Sequence, residues 1–275
     1  MTRLTGGFAM RLFGLEIRIE AGSPAILAAL DRYLFPWLPR LPLASGDEIP
    51  SLPPALNFRM HERAGGIVIL RDDKTEITAE SVETAIPLLQ SAIDESVVGQ
   101  CSDVAFVHAG VVAVDNAAIL FPGISHAGKS TLVAELVRRG ATYFSDEYAV
   151  IGADGSVYPY PRALMLRNGV PEQRPVLPAE LAAAVGTGSV PPRLIIMLRY
   201  VEGERFQVRK IAHAEALMIL LQSTPQVLAD APHIFKLLGR VAASAVTFSG
   251  VRGEASQAAE HIFALVEQHP SEPRP

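Results

Sequence analysis

Lys129 follows a glycine and precedes two hydroxyls in Gly123-Ile124-Ser125-His126-Ala127-Gly128-Lys129-Ser130-Thr131. The stretch fits G-x-x-x-x-G-K-[ST]. Its two glycines let the backbone curl until successive N–H groups converge on one anion. In such a loop the lysine reaches the outer phosphates of a nucleotide and the first hydroxyl sits on Mg²⁺. ATP and Mg²⁺ are therefore the expected cofactors, with all nine residues as the binding segment, Lys129 on the phosphates and Ser130 on the metal. The flanks agree. Residues 117–121 form a short apolar run, readable as a buried strand, and residues 131–139 have helical apolar spacing that ends at Gly140. Strand, glycine loop and helix is the context that this motif requires.

Phosphoryl transfer also needs a group that orients or deprotonates the acceptor. Asp146 and Glu147 end the strand expected after the P-loop helix, at residues 142–144. A helix between two strands makes a parallel crossover the default, which would bring the acidic pair and the loop to the same sheet edge. Adjacent strand residues point to opposite faces, so only one acid should face the γ-phosphate directly. His108 interrupts an apolar strand, Ala105-Phe106-Val107-His108-Ala109-Gly110. From spacing alone it reads as a core histidine as readily as a functional one. Arg162 and Arg167 are candidates for neutralising the transferring phosphoryl, a role suited to arginine. Arg199, at the end of an apolar strand, reads as a structural or rim residue.

Together these motifs resemble the catalytic core of bacterial HPr kinase/phosphorylase. The resemblance rests on Val107-His108-Ala109-Gly110, the P-loop fifteen residues after His108, Ser145-Asp146-Glu147, and Pro159-Tyr160-Pro161-Arg162. It covers about residues 104–170 and is similar in detail to HPr-kinase-related proteins that carry a separate N-terminal domain. It implies an α/β fold with a mixed sheet, related to phosphoenolpyruvate carboxykinase, and a small α+β domain before it. It implies Asp146 as the proton acceptor, Glu147 as support for metal or water, and His108 beside the active site. It also implies transfer from ATP to a serine hydroxyl of a protein or peptide, and a homo-oligomer. Two departures qualify this. His126 stands where the family's loop usually has glycine, and Met165 stands where an acidic metal-site residue is expected. The segment associated with phosphorolysis is also not recognisable. Kinase activity is the expectation, while phosphorolysis and HPr as the acceptor are not. The alternative is a catalytically weak ATP-binding module that serves a partner.

The rest of the chain must position these groups. It has 275 residues, 49% hydrophobic and 19% charged, enough to bury a substantial core. The net charge of −5 supplies no basic field for nucleic acid, which argues against a DNA-binding regulator. No secretory leader is evident and no run approaches a spanning length, so no membrane partner is expected. Cys101 is the single cysteine, which excludes an internal disulfide and a cysteine zinc cluster. The cytoplasm is the expected compartment.

Three regions are expected: a small domain over 1–100, a P-loop domain over 101–268 and a loose tail over 269–275. In the first, strands at 8–13 and 15–20 precede a helix at 25–34, a Pro-rich loop at 36–54 containing Trp37, an antiparallel pair at 56–61 and 66–70, and a helix at 81–98. In the second, strands at 104–113 and 117–121 flank a turn at 114–116. Residues 193–200 and 206–211 are expected to pair. Helices follow at 214–222, 233–241 and 254–267, with a last strand at 244–248. The apolar cluster 218–221 reads as core.

Overall fold

The computed structural model describes residues 5–38, 41–43, 55–123, 128–167 and 174–270. The chain divides into two compact units, Met1–Cys101 and Ser102–Pro275.

In the first unit β1 (Gly6–Leu12), β2 (Leu15–Ala21), α1 (Pro24–Tyr33), β3 (Leu41–Leu43), β4 (Ala55–Arg63), β5 (Gly66–Arg71), β6 (Thr75–Ala79) and α2 (Val82–Gln100) follow in order. The strands form one sheet in the order β3-β1-β2-β4-β5-β6. Alternation decides its faces. Ile17, Ile19 and Ala21 of β2 are fully buried, while Glu16 and Arg18 pair on the opposite face. Ser81 caps α2 in a reciprocal box with Thr84. One reading is corrected: the Pro-rich loop contains β3, which pairs antiparallel with β1. Trp37 is half-buried.

The second unit begins with β7 (Ala105–Val114), β8 (Ala117–Pro122), α3 (Lys129–Arg138), β9 (Thr142–Ser145), β10 (Tyr148–Ile151) and β11 (Val157–Tyr158). After the short pair β12 (Leu164–Leu166) and β13 (Arg174–Val176) come β14 (Pro192–Tyr200), β15 (Gln207–Lys210), α4 (His213–Gln222), α5 (Ala231–Ser244), β16 (Val246–Arg252) and α6 (Ala255–Gln268). The main sheet runs β11-β10-β7-β8-β14-β16-β15, with β9 also on β7. It is mixed: β14 is parallel to β8 and β16, and the other pairs are antiparallel. Asp115 and Asn116 take positive φ in the β7–β8 turn, as a two-residue hairpin requires.

Side-chain alternation splits the core into two layers. Ile119 and Phe121 pack with Leu132 and Val133 of α3 and Ile262 of α6. Ala118 and Leu120 pack with Leu220 of α4 and Val241 of α5 on the other side. The sheet is thus covered on both faces, which accounts for the near-continuous apolar runs of β8 and β14.

The expected pairing of 206–211 with 193–200 is not observed. β16 lies between them, and β15 pairs with β16 instead. β14 is buried and needs a neighbour on each side, whereas the polar β15 suits a sheet edge. β9 shares its direction with β8 but is separated from it by β7, so the crossover skips a strand. His269 is not loose: its carbonyl accepts from Arg193 Nε at 2.7 Å. Met218 is 55% exposed, unlike its buried neighbours Ile219 and Leu220.

Gly110 sets the distance between β7 and α3. A Cβ there would come within 2.7 Å of Val133 Cγ2, a branched side chain with little freedom to yield. Gly110→Ala is expected to push α3 outward and cost about 1–3 kcal/mol. Urea unfolding of wild type and variant measures this.

Candidate functional site

The site is assembled at one sheet edge, where β8 runs out into the loop before α3. Residues 124–127, His126 among them, lie outside the described residues. Gly128 is the N-cap of α3 and holds φ 72°, a conformation that favours glycine. The first N–H groups of α3 and its positive dipole end open at this mouth. Ser130 and Thr131 occupy its first turn.

Lys129 does not point into solvent. Its Nζ donates to the Gly123 carbonyl at 2.9 Å and lies 3.0 Å from His108 Nε2. On the other side of the ring, His108 Nδ1 lies 3.1 Å from Glu147 Oε1. The geometry fits the tautomer with the proton on Nδ1, donated to Glu147, and Nε2 accepting from Lys129. Glu147, His108 and Lys129 therefore form one hydrogen-bonded chain across β7. The hairpin register allows it, because Tyr148 is opposite His108 and Gly123 N donates to the His108 carbonyl.

The acidic pair does not end the strand as expected: β9 stops at Ser145, and Asp146 and Glu147 sit in the bend before β10, where they take different partners. Asp146 is buried, with Arg162 Nε 3.8 Å and the Tyr143 hydroxyl 3.3 Å from its Oδ1. Tyr143 also donates to the Arg162 carbonyl at 3.0 Å. The turn between the acids is fixed by the Ser145 hydroxyl, which accepts from Glu147 N and Tyr148 N.

Electrostatics separates the two carboxylates. Burial pushes Asp146 above the usual aspartate range. The Arg162 charge and hydrogen bonds from Ser130 and Tyr143 hold it back, while Glu147 adds to the rise. For Glu147 burial also acts upward, but the His108 hydrogen bond and the charges of Arg162 and Lys129 outweigh it, and the net shift is downward. Burial lowers Lys129, opposed by Glu147 and Asp146. Tyr143 is raised well above its ordinary value by burial and by Asp146, so it remains a donor.

Among the described residues no group of three or more His, Cys, Asp or Glu side chains could hold a metal ion alone. A Mg²⁺ here would rest on phosphate oxygens, the Ser130 hydroxyl and one or two carboxylates, which is its usual manner of binding beside phosphates. Met165, half-buried on β12, supplies no oxygen ligand.

The structure thus brings together His108, Lys129, Asp146, Glu147 and Arg162, with Ser130 at the same mouth. Arg167 is exposed beyond β12, outside this cluster, and Arg199 is exposed on β14. Cys101 is buried, its thiol 3.8 Å from the Phe13 carbonyl. Sequence reasoning did not anticipate Tyr143, which lay hidden in an apolar strand, or Arg252, discussed below. Beside His108 a cavity of about 420 Å³ is lined by Gly123, Leu221, Thr224, Val227 and Leu228. A larger one of about 760 Å³ surrounds Asp115, Asn116 and residues 184–191, away from the acidic pair.

No family model matches the chain, and no curated protein does. Among solved structures it is similar to the Hpr(Ser) kinase/phosphatase from Coxiella burnetii, with 16% identity over 58% of this chain and 97% of that one, and a TM-score of 0.30. A likeness at that level assigns no function to this chain. No helix among the described residues is long and apolar enough to cross a membrane.

The opposite shifts of the acids have opposite signatures in stability. Asp146 holds its proton more tightly folded than unfolded. Its contribution is full below about pH 4 and is lost as pH rises through its folded value. Glu147 contributes above its ordinary value, and this is lost as pH falls below about 4. Urea midpoints across this range should therefore show a flatter decline on the rising side in Asp146→Asn. In Glu147→Gln the acid-side loss should be flatter.

Proposed function

We propose that this chain is an ATP-dependent, Mg²⁺-requiring kinase that transfers the γ-phosphoryl to a serine-type hydroxyl of a protein or peptide. The observation that carries the reading is geometric: beside a glycine-capped helix two adjacent carboxylates take separate partners, Asp146 with Arg162 and Tyr143, and Glu147 with His108, which in turn meets Lys129. Paired groups whose surroundings push their pKa values apart are how active sites divide acid–base roles. Asp146, raised by burial and fixed by Tyr143, is suited to receive the acceptor proton. Glu147, held ionised, is suited to support metal or water. Lys129 and the α3 amides favour the β- and γ-phosphates, Ser130 the metal, and Arg162 the developing charge. ATP bound in this way supplies the phosphoryl group.

His108 gives this arrangement a resting place for Lys129. When phosphate draws the ammonium away, the imidazole remains oriented by Glu147. Pairing with His108 thus keeps the buried cation satisfied until ligand arrives.

A non-catalytic ATP-binding module is the second reading. Met165, on a strand where the resembling family has an acid, favours it. Turnover separates the two.

Asp146→Asn is expected to retain ATP binding and lose about 10²–10⁴ of the transfer rate. Lys129→Ala is expected to weaken both. ADP formation across a panel of hydroxyl acceptors, with calorimetric ATP binding in parallel, measures each. Unchanged turnover in Asp146→Asn would remove that residue from the mechanism. ATP binding without turnover in the wild type across a broad panel would favour the module.

A further inference from the structure

Arg252 ends β16, which is parallel to β14 and, through it, runs with β8. Its side chain therefore comes to the same edge as the α3 mouth. Nη2 donates to the Gly128 carbonyl at 2.9 Å and Nη1 to the Gly253 carbonyl at 2.7 Å. The guanidinium carbon sits 5.2 Å from the centre of the Tyr200 ring. A Cβ at Gly128 would run into this guanidinium, so the residue that ends the phosphate loop is glycine on two counts. Arg252 is only 3% exposed.

What sets it apart is its partners. Arg59, Arg139, Arg162 and Arg193 each face a carboxylate. Among the described residues Arg252 is held by carbonyl oxygens and a ring face; Glu254, exposed two residues on, acts on its charge without forming an ion pair with it. A buried cation is costly unless an anion answers it. The acidic pair, Asp146 and Glu147, is engaged by Arg162 and His108. They would also repel a polyphosphate, opposed by Lys129, which is partly desolvated, and by Arg162, which is paired with Asp146.

We infer that Arg252 is a second cation of the phosphate site. It positions the junction of loop and helix through the Gly128 carbonyl and makes the site prefer ligands with more phosphate charge. This rests on the phosphate-binding reading above. Its guanidinium is permanently charged, and its fork holds two carbonyls at once, which an ammonium cannot reproduce.

The test is calorimetric titration of wild type, Arg252→Met and Arg252→Lys with ATP and with AMP, each in the presence of Mg²⁺. Melting temperatures of the ligand-free proteins run alongside. Arg252→Met keeps the bulk and removes the charge. It is expected to bind ATP roughly 10–100-fold more weakly and AMP only a few-fold more weakly. Arg252→Lys is expected to fall between, about 3–10-fold weaker for ATP. Equal losses for both nucleotides, or none, in Arg252→Met would overturn the inference and leave the phosphate-binding reading intact. A folded wild type that binds no ATP would overturn both. Should Arg252→Met not fold, Arg252→Lys decides: wild-type ATP affinity in that variant overturns the inference.

Discussion

Everything at this site depends on charge taken out of water at a single corner of the sheet. Asp146 and Glu147 are neighbours in sequence, and each is desolvated. They coexist because the bend gives them different partners, one toward Arg162 and Tyr143, the other toward His108 and Lys129. Without that division, two buried like charges would compete for one set of partners and one would be forced to neutralise. The Ser145 hydroxyl, bonded to two consecutive amides, fixes the turn that makes the division possible. A small polar side chain thus determines the electrostatics of two larger ones.

The mixed sheet supplies the platform. β7 carries His108 and accepts neighbours of both kinds: the hairpin strand β8 leading to the loop, and β9 and β10 presenting the acids. The cluster is consequently built around one central strand, and its members come from segments that are close in sequence. Apolar packing on both faces then keeps α3 and its mouth in register with that strand.

Much of the cluster was legible in the sequence because its signals are local. The glycine loop, the apolar strand before it, the helix stop at Gly140 and the acidic pair can each be read within a window of about ten residues. The helices of both units were legible for the same reason. What was not legible is non-local. Arg252 looks like an ordinary strand-end arginine until β16 is known to insert between β14 and β15, and no short pattern announces a parallel insertion. The unexpected β3 lies in a Pro-rich stretch whose composition argues for loop, yet three residues there find an open edge on β1. Tyr143 shows a further limit: in an apolar run an aromatic reads as packing, and only the fold reveals that its hydroxyl meets Asp146 and the Arg162 carbonyl.

The wall beside His108 is pinned by its main chain rather than by its outward side chains. His108 N donates to the Ser223 carbonyl at 2.7 Å, and the Gln226 amide clasps Phe106 N and the Val104 carbonyl. Leu228, two residues further on, is 97% exposed and takes no part in that clasp. Replacement of such outward residues can therefore reshape the cavity rim while the strand that carries His108 keeps its place. The fold thus separates the shape of the cavity rim from the placement of His108, so the two can diverge independently.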